Sequence, residues 1–131
     1  MILLQTHYAV VATDESRMIG SIKWMGSCSS EEYRKTFLFL LEEQKRLGIH
    51  RFLSDIRDQA VISPEDRKWF ENEAMPKAVE QGLKAAAVVF NGNVFKKYYL
   101  NIILQATNKF GLPMKVFTET EPAEDWLMNF S

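Results

Sequence analysis

The stretch Leu83-Lys84-Ala85-Ala86-Ala87-Val88-Val89-Phe90, followed at once by Asn91-Gly92-Asn93, decides the fold class. Its eight residues are nearly all apolar, the pattern of a central strand buried on both faces of a sheet. Asn91-Gly92-Asn93 reads as a turn and a helix cap. Beyond it Val94, Phe95, Tyr98, Tyr99, Ile102, Ile103, Ala106 and Phe110 recur at i, i+4 and i+8, the clearest amphipathic helix in the chain. Gly111 stops it, and Met114 to Phe117 returns as a strand. A buried strand, a helix and a strand in succession make a parallel crossover unit.

Working outward towards the N-terminus, Ser63-Pro64-Glu65-Asp66 opens a helix. It offers a capping serine, proline at the first helical position and acids against the positive end of the dipole. Pro76 should kink or split that helix before Gly82. Ile49 to Asp55 is a further strand, with Ile56 to Ile62 as its loop. The helix before it starts at Ser29, which has the capping-box spacing to Glu32, and closes at Gly48. His7 to Thr13 and Arg17 to Trp24 read as strands joined by the turn Asp14-Glu15-Ser16, an antiparallel hairpin. Pro122 to Phe130 is a short last helix with Ala123, Trp126, Leu127 and Phe130 on one face. The expected order is β-β-α-β-α-β-α-β-α, a five-stranded mixed sheet in one α/β domain spanning residues 1–131.

Composition bounds function without naming it. The 131 residues suit one domain. Sixteen basic and seventeen acidic residues leave a formal charge of −1, so no basic patch points to nucleic acid. No apolar run approaches a membrane span. The single cysteine, Cys28, cannot form an internal disulfide, and the start lacks a signal-peptide pattern, so the expected compartment is the cytoplasm.

Several motifs resemble a known group. Trp24-Met25-Gly26, Ser29-Ser30-Glu31-Glu32-Tyr33, Asp55-Ile56-Arg57 and Ser63-Pro64-Glu65-Asp66-Arg67-Lys68-Trp69 resemble small bacterial STAS-like (SpoIIAA-like) domain proteins of uncharacterised role. The element order is similar to the same fold. That resemblance implies a binding or regulatory module. Its phosphorylatable relatives carry a hydroxyl residue at the end of the third strand, where this chain has Asp55-Ile56-Arg57-Asp58. The resemblance also extends to a lipid-binding fold, which implies an apolar ligand as one possibility.

The residues themselves offer four candidates. Asp55, Arg57 and Asp58 should lie just past the carboxyl end of a parallel strand, with Asn91, Gly92 and Asn93 past the next, where open α/β sheets bind ligands. The plainer alternative is an Asp55–Arg57 salt bridge and a simple turn. Cys28, just before a helix, has the dipole that lowers a thiol pKa, although a small residue in a turn reads the same. His7 and His50 have no ligand spacing to Cys28 or a carboxylate, so no metal, cofactor or catalytic set is assigned.

Leu100 and Leu104 fall on the polar half of their helix, and Phe39 falls off the main stripe of its own. These suggest a protein-partner surface or a homodimer, unless another element covers them. Finally, Trp24, Trp69, Phe70, Tyr98 and Tyr99 could line an apolar pocket or simply pack the core. The leading expectation is a non-enzymatic module that binds a protein partner or itself. The alternative is a carrier or sensor of a small apolar or anionic ligand.

Overall fold

The structure is a computed structural model that describes residues 1–92, 97, 98, 100, 101, 104, 105 and 111–130. Six strands form one sheet in sequential order: β1 (Ile2–Gln5), β2 (Ala9–Asp14), β3 (Ile19–Gly26), β4 (Arg51–Gln59), β5 (Ala85–Val89) and β6 (Met114–Phe117). The first three pair antiparallel, and β3 through β6 run parallel. The sheet therefore has six strands where five were expected. The extra strand, β1, pairs Ile2 with Ala12 and Gln5 with Val10. Its turn is closed by Thr6, whose Oγ1 accepts from the Ala9 N–H at 3.0 Å.

Local chemistry sets the helix ends. In α1 (Ser30–Leu47), Ser29 Oγ accepts from the Glu32 N–H at 3.1 Å, and Glu32 Oε1 accepts from the Ser29 N–H at 2.9 Å. Gly48 closes it at φ +76°, a conformation that costs glycine nothing. Ser63 caps α2 (Pro64–Trp69). A π turn at Phe70–Ala74 then widens the helix before α3 (Met75–Glu80). Pro76 explains the break. It has no N–H for the preceding turn, and its ring crowds the carbonyl four residues back. Lys97, Tyr98, Leu100, Asn101, Leu104 and Gln105 are helical, and α4 is Thr120–Leu127.

Alternation along β5 sorts the layers. Ala85, Ala87 and Val89 face α4, packing with Ala123 and Leu127. Ala86 and Val88 face the opposite side, where Val88 packs in one cluster with α1 and Leu100, and Ala86 in another with Met75 of α3. The sheet is thus sandwiched between α4 and a layer of α1, α2, α3 and the helical residues around Leu100. No helix among the described residues is long and apolar enough to cross a membrane.

Two expected surfaces change. Leu100, expected on the outer half of its helix, is 5% exposed and packs in the main core, while Tyr98, expected inward, is 65% exposed. Leu104 is half-buried, and Phe39 packs against the same core. Apolar residues on both halves of that helix leave its periodicity unable to choose the buried side.

Candidate functional site

Strand β4 runs on to Gln59, so Arg57 and Asp58 lie within it and not in the loop after it. They still stand past the end of the neighbouring strand, since the last β4–β5 pair is Asp55 with Val89. A bulge lies here: Lys23 pairs Asp55 and Met25 pairs Asp58, so Trp24 of β3 alone opposes Ile56 and Arg57 of β4. It breaks the alternation, burying Asp55 and Ile56 in succession.

The structure brings Asp55, Arg57 and Asn91 together. Arg57 Nε and Nη2 donate to the two Asp55 oxygens at 3.1 and 2.8 Å. Asn91 Nδ2 donates to the Arg57 carbonyl at 2.8 Å. Two partners join from beyond β6: Thr120 Oγ1 accepts from Arg57 Nη2 at 3.2 Å, and the Glu119 carboxylate lies 3.9 Å from Nη1. Glu119 and Thr120 escaped the sequence reading, although the carboxyl-end rule that selected Asn91 applies equally to residues following Phe117. Asp58 and Gly92 are exposed, and Asn93 lies outside the described residues.

Burial alone would push the Asp55 carboxyl up, but hydrogen bonds from the Arg57 side chain and N–H outweigh it and hold it below the usual range. A guanidinium facing two carboxylates has little positive charge left for an anion. Chemically this arrangement is a clamp joining β4, the end of β5 and the start of α4.

Cys28 has no activated thiol. Burial pushes it up, and the carboxylates of Glu32 and Asp66 add to the shift, against the expected dipole effect. Among the described residues, no group of three or more His, Cys, Asp or Glu is placed to hold a metal ion.

The other feature is an apolar cavity of about 110 Å³ between the sheet and the α1–α3 layer. Trp24, Phe37, Ile56, Phe70, Ala86 and Leu100 are among its walls. Of the five aromatic residues proposed for a pocket, Trp24 and Phe70 line it. Trp69 packs beside Tyr33 and Phe37 behind the wall, with ring centroids 6.3 and 6.2 Å apart. Tyr98 is exposed, and Tyr99 lies outside the described residues. Gln44, the polar side chain on the α1 wall, is spent internally. Its Nε2 donates to the Ala78 carbonyl at 3.0 Å, and its Oε1 accepts from Gln81 at 2.9 Å. Leu100, expected outside, is a wall residue instead.

The mixed sheet covered by helices on both faces has the element order expected of a STAS-like fold apart from the added β1, and comparison with a solved structure agrees. A crystal structure of an uncharacterized protein from the DUF3478 family with a SpoIIAA-like fold, from Shewanella loihica PV-4, superimposes with a TM-score of 0.63 at 20% identity. The match covers 97% of this chain and 99% of that one. The chain therefore has the SpoIIAA-like, STAS-like fold. No family model matches the sequence, and no curated protein does.

Proposed function

We propose that this chain is a non-enzymatic STAS-like binding module that carries or senses a small apolar ligand in the cavity between the sheet and the α1–α3 layer. One observation carries the reading: a cavity of about 110 Å³ whose described walls are almost wholly apolar. Interiors are close-packed, with few voids larger than a water. A dry apolar void of roughly 150 Å³ is enough to bind benzene. Leaving such a space empty forfeits dispersion contacts that a ligand restores. The clamp at Arg57 supports no competing anion site, because its charge is already met. The partner-binding reading ranks second, and self-association through Leu100 loses its premise because Leu100 is buried.

The test is extraction of purified, denatured protein into organic solvent followed by mass spectrometry. The expected result is an apolar compound stoichiometric with the chain and lost from a folded Ala78→Phe variant, since Ala78 lines the cavity. A ligand-free protein whose thermal midpoint moves with neither benzene nor n-butanol, both small enough for a space of about 110 Å³, overturns the reading.

A further inference from the structure

The few polar atoms on the cavity walls narrow its ligand. The described walls carry no charged side chain, and an ion entering without a partner would give up its hydration with no return. A guest is therefore neutral. Volume limits it further. The space of about 110 Å³ is smaller than the roughly 150 Å³ of a dry void that holds benzene, so the guest is of the order of that ring in size.

One wall is a buried hydroxyl without a partner. Ser54 of β4 lines the cavity and is 9% exposed. Its neighbours on that face of the sheet are apolar: Phe52 and Ile56 along the strand, Ile22 and Val88 directly across on β3 and β5. Among the described residues, none donates to or accepts from Ser54 Oγ. A buried hydroxyl left unpaired is costly, and more so in apolar surroundings. A trapped water is a poor remedy, since it needs about two to four polar partners and would find only this one.

The other polar walls have other surroundings. Gln44 is bonded to Ala78 and Gln81. Tyr33 stacks on Trp24 with centroids 5.1 Å apart, and its phenol is pushed up by burial and then by Asp66 and Cys28, which lie at the starts of α2 and α1. Gln59 is half-buried beside the exposed Ala60 and Val61, where solvent reaches it. Ser54 Oγ is the enclosed polar atom still to be met.

We infer that the cavity takes a compact neutral molecule about the size of phenol, whose single hydroxyl group pairs with Ser54 Oγ; this rests on the apolar-ligand reading above and specifies its ligand class. A hydroxyl on the guest can donate to Ser54 or accept from it, and either bond satisfies both polar groups. The rest of the guest leaves water for apolar walls. A site that bonds a hydroxyl also discriminates against the analogue lacking it, because the protein's own group is then left unpaired.

The experiment titrates the intact protein with benzene, with phenol and with toluene, which replaces the hydroxyl by a methyl of similar size, using calorimetry and thermal shift. Ser54→Ala should lower the phenol-to-toluene affinity ratio about fivefold, the effect of one hydrogen bond, and leave toluene affinity within about twofold of wild type. The ligand-free thermal midpoint of the variant should be no lower than that of wild type, since no protein group loses a partner. An unchanged ratio, or benzene or toluene bound while phenol is not, overturns the Ser54 assignment and leaves an apolar site. A ligand-free variant that is less stable, or does not fold, shows the hydroxyl bonded within the protein and overturns it too. Binding of none of the three compounds by wild type removes the apolar-ligand reading as well.

Discussion

Arg51 and Leu127 are joined by a buried hydrogen bond of 3.0 Å from the Arg51 Nε to the Leu127 carbonyl, across 76 residues of sequence. The same Nε donates to the Phe130 carbonyl at 2.8 Å, and Nη1 donates to the Arg17 carbonyl. One guanidinium, 7% exposed, thus satisfies the end of α4 and the turn before β3. Carbonyls at a helix end have no partner within the helix. Arg51→Met keeps the stem but removes every donor, and should cost about 3 kcal/mol in urea unfolding. Amide exchange in Thr120–Leu127 should quicken more than exchange in α1. Equal quickening in both helices would contradict a local tether.

A second tether makes the same region acid-sensitive. Arg17 lies 2.6 Å from Asp14 and 2.6 Å from Glu124 of α4. The Asp14 carboxyl, hydrogen-bonded first by Ser16 and then by Arg17, is held down at about 2. A folded value below the unfolded one gives stability that is complete above the unfolded value, near 3.8, and lost as pH falls towards 2. The thermal midpoint of Asp14→Asn should therefore lie below wild type at pH 6 and converge on it by about pH 2. A constant gap across that range would refute the linkage.

How much of this was legible depends on whether the cause was local. Ser29, Glu32 and Gly48 mark both ends of α1 because caps act within four residues, and Pro76 marks the break between α2 and α3 for the same reason. Strand β1 was missed because four apolar residues say little until Ile2 finds Ala12 on the next strand. The end of β4 was missed because the bulge at Ile56 and Arg57 interrupts the alternation that reveals a strand. The Asp55–Arg57 pair was readable as a salt bridge, but Glu119 and Thr120 reach it only through the sheet. The cavity draws walls from β3, α1, β4, α3, β5 and β6, far apart in sequence, so no local spacing encodes it.

The caps differ in a measurable way. Ser63 Oγ accepts from the Asp66 N–H at 3.1 Å with no reciprocal bond, whereas Ser29 has one from its own N–H to Glu32. Ser63→Ala should cost about 1 kcal/mol of unfolding free energy. Ser29→Ala should cost at least as much, because its loss also loosens the Glu32 half of the box. Denaturant midpoints with unchanged slopes are the readout, and a neutral Ser29→Ala would show that the box adds nothing here.

The Arg57 clamp predicts a pH-dependent defect. Arg57→Leu leaves the buried Asp55 without its main partner, so burial, formerly outweighed, should push that carboxyl above its unfolded value. The charged form is then the costly one, and the loss at pH 7 should be about 3 kcal/mol, the usual cost of removing one partner of a buried pair. Lowering the pH through the acid range protonates Asp55 and should shrink the gap to wild type. A gap that widened on acidification would place the defect elsewhere.

Phe37 links stability to ligand choice. It is 7% exposed, and its ring lies 5.5 Å from Trp24, 5.0 Å from Tyr33 and 5.1 Å from Phe70. It is also a cavity wall midway along α1. Phe37→Ala should cost about 4 kcal/mol, the loss of buried transfer energy plus the void left behind. The neighbouring rings cannot all close the gap, because each is held by its own partners, so part of the void should persist and enlarge the cavity. The variant should then bind benzene more tightly than wild type does, since a larger dry apolar void holds such a ring. Phe37→Leu, which keeps most of the volume, should retain both stability and the wild-type benzene affinity. If Phe37→Ala stays folded and binds benzene as wild type does, the wall at Phe37 does not set the size of the cavity.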